Sequence, residues 1–185
     1  MLLAGVLLTG GASRRMGTDK ATLVVHGETL AARAARVLAA VCDPVIEVGP
    51  GVSGLPAIQE DPPFAGPLVA LVAGWQALGN PIPVLVLACD MPFVEPPLLR
   101  LLAEWPGTGT VIPVVDDRSQ YTCARYGAAS FDEATAALRS GDTSLRGMAD
   151  TTADYLPPSC WRAVATEQSF ADVDTPDDLE RLGLY

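Results

Sequence analysis

Ala4-Gly5-Val6-Leu7-Leu8-Thr9-Gly10-Gly11-Ala12-Ser13-Arg14-Arg15-Met16-Gly17-Thr18-Asp19-Lys20 is the stretch that decides the fold. The apolar run Ala4–Leu8 predicts a buried strand, and it runs straight into consecutive glycines. Glycines after a strand let the backbone turn tightly and approach a ligand with no Cβ in the way. Exposed N–H groups in such a turn can cradle phosphate oxygens. Arg14, Arg15 and Lys20 add positive charge suited to a polyphosphate. The spacing is not G-x-x-x-x-G-K-[ST], which excludes a P-loop, and not G-x-G-x-x-G, which excludes the usual dinucleotide fingerprint. Taken alone, the segment also suits a glycine-rich turn with solvated charges.

Downstream, strand-like and helix-like stretches alternate. Thr29–Val41 is Ala/Leu/Arg-rich with apolar residues at helical spacing. Val45–Val48 and Ala57–Gln59 predict short strands. Pro67–Leu78 predicts a helix with Pro67 at its first position, where a missing N–H costs nothing. Val84–Ala88 is continuously apolar and stops at Cys89-Asp90, the pattern of a central parallel strand. Pro96–Glu104 predicts a helix. Thr110–Val115 and Tyr121–Tyr126 predict strands around a turn at Asp116-Asp117-Arg118. Ser130–Arg139 and Ser144–Asp150 read as helical, Arg162–Thr166 as a last strand, and Pro176–Leu182 as a closing helix with Thr175 as N-cap. Such alternation predicts an α/β fold, a doubly wound, mostly parallel sheet in three layers, with residues 1–185 forming one domain. Ligands in these folds sit at the carboxyl ends of the strands. The polar clusters follow strand ends: Thr9–Lys20, Glu60-Asp61 and Asp90-Met91-Pro92.

Composition narrows the function. The chain has 185 residues, 49% hydrophobic and 18% charged, which excludes a disordered polymer. A net charge of -10 argues against a nucleic-acid partner. Apolar runs fall far short of the ~20 residues that span a bilayer, so no membrane role is expected. Met1–Leu8 lacks a basic start and is read as a strand, not a signal peptide. Four cysteines without C-x-x-C spacing and a single histidine, His26, argue against zinc and for buried thiols in a reducing cytoplasm. Lys20 is the single lysine among twelve basic residues. A slim point charge kept where every other base is a wide guanidinium hints that Arg cannot serve there. Residues 1–40 hold five basic and two acidic groups, a local anion attractor on an acidic chain.

Three further segments carry chemistry. Glu60-Asp61-Pro62-Pro63-Phe64-Ala65-Gly66-Pro67-Leu68 suits a rigid turn leading into a helix. Asp90, after the most apolar strand in Leu87-Ala88-Cys89-Asp90-Met91-Pro92-Phe93, is placed either to cap a turn or to hold Mg²⁺ through one carboxylate. In Phe170–Leu179, Thr175-Pro176-Asp177-Asp178 is a helix start with acids on the positive end of the dipole. That leaves Asp172 and Asp174 without a structural reason.

The string L-x-G-G-x-S-x-R-M-G-x-D-K resembles the opening of the small nucleotidyltransferases that include molybdenum cofactor guanylyltransferase and its cytidylyltransferase relative. The resemblance implies a Rossmann-like nucleotidyltransferase fold and transfer of a nucleoside monophosphate from an NTP onto a phosphate. It implies nucleotide contacts from Leu8, Thr9, Gly10, Gly11, Lys20, Asp61, Gly66 and Asp90. Arg15, Lys20 and Asp90 become the catalytic set, with Mg²⁺ on Asp90 and Asp172 and Asp174 near the acceptor. E-D followed by G-P-L, and C-D-M-P-F, resemble the guanylyltransferase branch, implying GTP and molybdopterin or molybdenum cofactor as substrates. Transient contact with molybdenum cofactor proteins is implied as well. Asp at both 172 and 174 departs from the Asn pair of some guanylyltransferases and is closer to the relatives. Gln120-Tyr121-Thr122 departs from the family pattern where it borders the acceptor. The alternatives are a cytidylyltransferase on the same cofactor, a nucleotidyltransferase for another small phosphate, and, from a different class, a nucleotide-binding module without catalysis.

Overall fold

Strand β1 (Leu3–Leu8) lies at the centre of the sheet, and the computed structural model describes residues 3–10, 19–81, 83–148 and 152–184. After a short 3-10 turn at Lys20–Thr22, capped by the Asp19 side chain, the chain makes a small hairpin of β2 (Val24–Val25) and β3 (Glu28–Thr29). His26 forms its turn at φ 51°. Thr29 then caps helix α1 (Leu30–Ala39), its hydroxyl accepting from Ala32 N at 3.1 Å. Strands β4 (Cys42–Val48) and β5 (Ala57–Ile58) follow, then α2 (Pro67–Ala77), β6 (Val84–Ala88) and α3 (Pro96–Glu104). The proline-initiated helices α2 and α3 begin where the sequence predicts.

Beyond α3 come β7 (Val111–Val115), β8 (Arg118–Ser119) and β9 (Cys123–Tyr126). Asp116 and Asp117 turn the β7–β8 hairpin with φ of 47° and 60°, the two successive positive values of a type I′ turn. Helix α4 (Ala128–Ser140) ends at Gly141 in the left-handed region. Of the helix expected over Ser144–Asp150, Leu145–Met148 is a 3-10 turn, while Ala149 and Asp150 lie outside the described residues.

The carboxyl-terminal part corrects the reading. The last strand is β10 (Asp154–Leu156), parallel to β7, and not Arg162–Thr166. Pro157-Pro158 instead starts the short helix α5 (Pro158–Trp161), which sinks Trp161 completely into the core. Arg162, Ala163 and Val164 are all exposed, so the alternation a strand requires is missing. Trp161 meets Phe170 edge-on at 5.1 Å. Helix α6 (Pro176–Arg181) closes the chain, and Asp178 accepts from both Thr175 N and Thr175 Oγ1.

The sheet order is β10-β7-β9-β6-β1-β4-β5, with β8 on β7. β1 is parallel to both β4 and β6, while β9 runs against β6 and β7 and the short β8 runs against β7. Alternation splits the apolar strands between two faces. Leu7, Leu85 and Leu87 pack with α1, α3 and Trp161; Val6, Leu8, Val84 and Val86 pack with α2 and α4. Burial on both faces explains why these strands read as unbroken apolar runs. The result is a three-layer, Rossmann-like α/β fold with a mostly parallel sheet. The chain passes from β1 to β4 and β5 on one side and returns to β6 on the other. The crevice therefore opens at the carboxyl ends of β1, β4 and β6.

Candidate active site

Asp90 follows the last residues of β6, and three contacts fix its loop. Cys89 N donates to Leu8 O at 3.0 Å, tying the end of β6 to the end of β1. Arg33 of α1 donates to Pro92 O and to Val94 O. The Asp90 carbonyl accepts from Val173 N at 2.9 Å. This last bond draws the Asp172-Val173-Asp174 segment onto the end of β6. Val173 is buried there, and Asp172 and Asp174 turn outward.

Lys20 enters the same place from the loop after β1. Its Nζ is 3.5 Å from Asp90 Oδ2 and is paired directly with Asp174 Oδ1. Two residues 154 positions apart thus meet on a side chain only 18% exposed. Burial pulls the Lys20 pKa down, but the Asp174 hydrogen bond and the charges of Asp90 and Asp174 outweigh it, and the net shift is upward. Burial pushes the Asp90 carboxyl up, and Asp172 and Asp174 add to this against the pull of Lys20. Among the described residues, the cluster holds more negative charge than its one ammonium balances.

Other expected positions within the described residues lie at the end of β1 and at the entry to α2. Leu8, Gly10 and Gly66 line a cavity of about 220 Å³ that Pro67 and Ala70 close from the start of α2. Gly66 has φ 119°, and a Cβ there would lie 2.6 Å from Thr143 Oγ1, so the turn into α2 admits only glycine. Asp61 is exposed. Thr9 is buried, its hydroxyl turned away to Glu47. Thr9 N and Gly10 N both donate to Val48 O, at 3.1 and 3.2 Å. The N–H cradle expected of the glycine loop is therefore already spent at these two positions. Gly11 and Arg15 lie outside the described residues. Asp172 borders a second cavity, of about 800 Å³, together with Arg118, Gln120, Tyr121 and Arg146.

A family model for the MobA-like NTP transferase domain matches residues 5–155. The chain belongs to that family. It is 36% identical over 104 residues to a probable molybdenum cofactor guanylyltransferase from Chloroflexus aggregans, covering 52% of this chain. The match spans 50% of that relative, about half its length. A Mycobacterium tuberculosis protein of the same description is 32% identical over 161 residues, covering 81% of this chain and 80% of the relative. The crystal structure of molybdopterin-guanine dinucleotide biosynthesis protein A from Archaeoglobus fulgidus superposes with a TM-score of 0.81 at 25% identity, covering 97% and 96% of the two chains. No helix among the described residues is long and apolar enough to cross a membrane.

Two carboxylates of this MobA-like NTP transferase escape a reading by motif. Glu47 is fully buried in β4. It accepts Thr9 Oγ1 at 2.6 Å, the N–H groups of Gly51, Val52 and Ser53 at 2.8, 3.1 and 2.8 Å, and the Ser53 hydroxyl. It thereby ties the loop after β4 to the end of β1. Burial alone would raise its pKa, but the hydroxyls of Ser53 and Thr9 and the backbone N–H groups bring it below its ordinary value. The available signal was an acid inside the apolar run Val45–Val48. Glu60 is the second, only 4% exposed, and it lines the smaller cavity where Asp61 does not. Here the signal was alternation, since Ile58 and Glu60 share a face of the extended chain.

Glu47→Gln should be strongly destabilising, because an amide nitrogen would face N–H donors. The expected loss is about 2–4 kcal/mol, or roughly 5–12 °C in the unfolding midpoint. A carboxyl with a depressed folded pKa stabilises above its unfolded pKa of 4.5 and loses that contribution as pH falls through the folded value. Thermal unfolding at pH 7 should show the full gap to wild type, and the gap should shrink below pH 4.5. A variant as stable as wild type at pH 7 would show that the carboxylate does not hold the loop.

Proposed function

We propose that the protein transfers GMP from GTP to the terminal phosphate of molybdopterin, or of its molybdenum-loaded form, giving the guanine dinucleotide cofactor and pyrophosphate. The observation that carries this reading is the meeting of Lys20, Asp90 and Asp174 at the carboxyl ends of β1 and β6, with a smaller cavity lined by Leu8 and Gly10 and a larger one lined by Asp172. The GTP base occupies the smaller cavity beside Leu8, Gly10 and Gly66, and its ribose lies toward Asp61. The triphosphate runs past the glycine loop, with Gly11 and Arg15, to Lys20. The acceptor takes the larger cavity, where Arg118 and Arg146 supply positive charge beside Asp172.

The chemistry asks for position and charge balance. An oxygen of the acceptor phosphate attacks the α-phosphorus in line. The new P–O bond forms as the bond to the bridging oxygen of pyrophosphate breaks, and pyrophosphate leaves with that electron pair. The attacking phosphate is already anionic, so no side chain has to remove a proton. The protein's part is to hold the two reactants in register and to neutralise developing charge. Lys20 does so directly, as an ammonium held by the carboxylates on either side. The carboxylate oxygens of Asp90, with the second aspartate on Lys20 close by, suit a hard divalent cation. Among the described residues no three acidic, Cys or His side chains form a complete metal cage. That fits Mg²⁺, which keeps waters and takes one or two carboxylates plus phosphate oxygens. Mg²⁺ on Asp90 would supply charge neutralisation at the phosphate oxygens, and the excess negative charge at Asp90 favours it.

The reading expects GTP to bind more tightly than ATP, CTP or UTP in the presence of Mg²⁺. Thermal shift against the four nucleotides ranks them, since a preferred ligand raises the midpoint by mass action, and calorimetric titration gives the affinities. Equal or tighter CTP binding would contradict the guanylyltransferase assignment and move the protein to the cytidylyltransferase reading.

A further inference from the structure

The smaller cavity contains two features that neither the fold nor the transfer step requires. The first is Glu60. Its carboxylate is buried, yet it pairs with no cation among the described residues. Oε1 accepts from Phe64 N at 2.8 Å and Oε2 from the Gln59 side-chain amide at 2.7 Å. An ionised carboxylate offers about four lone-pair sites, so these two bonds from the described residues leave one on each oxygen. Oε1 lies 3.8 Å from where a Cβ on Gly10 would sit. The second feature is Phe64. Phe64 lines the cavity, is 65% exposed and stands on a backbone at φ 62°. A bulky side chain in the left-handed region is an outlier that costs free energy. Glu60 holds it in place by capturing its N–H.

We propose that Glu60 reads the base of the nucleotide by accepting the N1–H and N2–H groups of guanine, while the Phe64 ring stacks on the purine face. This rests on the reading that the site takes a nucleoside triphosphate, and it assigns base choice to two side chains. A carboxylate only accepts. Guanine alone among the four bases presents two adjacent donors on its pairing edge. Adenine and cytosine set a ring acceptor beside their amino group, and uracil flanks its single N–H with carbonyls. Each of those three would place at least one lone pair against Glu60. Leu8, Pro67 and Ala70 give the base an apolar wall. A ring of Phe type on the open side suits a flat heterocycle better than a sugar or a phosphate.

The test uses the intact protein and calorimetric titration with GTP, ITP, 1-methyl-GTP and ATP, all with Mg²⁺. ITP lacks the N2 amino group and 1-methyl-GTP lacks the N1 proton. Each should bind unmodified protein about 10- to 100-fold more weakly than GTP, the worth of one hydrogen bond to a charged group. In Glu60→Gln the preference of GTP over ITP and ATP should collapse to within a few fold. Phe64→Ala should weaken GTP and ITP alike by about tenfold, the worth of one stacking face, and leave their ratio unchanged. Equal binding of GTP, ITP and 1-methyl-GTP by the unmodified protein would overturn the proposal without any variant having to fold. So would Glu60→Gln that keeps the wild-type GTP-to-ITP ratio. In both cases tight GTP binding would leave the transferase reading standing. Failure to bind any of the four, or tighter binding of ATP than of GTP, would remove that reading and this inference with it.

Discussion

Asp90→Asn should abolish metal-dependent nucleotidyl transfer and leave the fold at least as stable as wild type. The substitution keeps the shape and removes the charge on which Mg²⁺ and the triphosphate depend, and a loss on the order of 10³-fold or more is expected. Stability should move the other way. Burial raises the Asp90 pKa and Asp172 and Asp174 reinforce it, so the ionised form is the disfavoured one in the folded chain. A carboxyl whose folded pKa stands above its unfolded value of 3.8 weakens the fold as pH rises through that window. The neutral amide escapes this. Thermal unfolding at pH 7 without nucleotide should put the variant midpoint at or above wild type, and the difference should vanish as the pH falls to 3.8 and below. The site would then be one where stability has been given up for function. Wild-type turnover in Asp90→Asn would reduce Asp90 to a turn cap and send the search for the metal ligand to Asp172 and Asp174.

Lys20→Ala should lose ~10²–10³ in rate, the typical cost of removing one group that stabilises transition-state charge. Lys20→Arg should not restore it. The ammonium sits between Asp90 and Asp174 in a partly buried slot, and a planar guanidinium needs more width and a different approach. Its raised pKa means that Lys20 stays charged below its ordinary 10.5, so its pairing supports the fold up to that pH and is lost only above it. Any pH dependence of turnover between 6 and 9 must then come from the substrates or from other groups. Lys20→Ala also leaves the aspartates without their cation and should lower the unfolding midpoint. Adding Asp90→Asn to it should recover part of that midpoint and none of the activity. Near-normal turnover in Lys20→Arg would make the single lysine an accident of composition.

What the sequence disclosed, and what it hid, follows from how each feature is encoded. Val84–Ala88 and Ala4–Leu8 were legible because strands covered on both faces need apolar residues at every position. Pro67 and Pro96 were legible as helix starts because proline is tolerated at a first turn and almost nowhere later in a helix. Arg162–Thr166 misled because three apolar residues in a short run, Ala163-Val164-Ala165, resemble a strand, whereas Pro157-Pro158 and the inward Trp161 had already set a helical turn. The Lys20–Asp174 pair could not be reached from spacing. It exists because Val173 N donates to the Asp90 carbonyl and brings the end of the chain to the end of β6. Motif resemblance alone had placed these residues near one another. Glu60 and Asp61 show the limit of that route: the motif favours the aspartate, while the alternation of the extended chain buries the glutamate.

The most direct test of the account is to supply GTP labelled at the α-phosphate, with Mg²⁺ and molybdopterin, and to follow where the label goes. The account predicts one pyrophosphate released for each labelled GMP joined to the acceptor, with no release when the acceptor is omitted and none from Asp90→Asn. Pyrophosphate released without an acceptor, or label passing from CTP in preference to GTP, would contradict it.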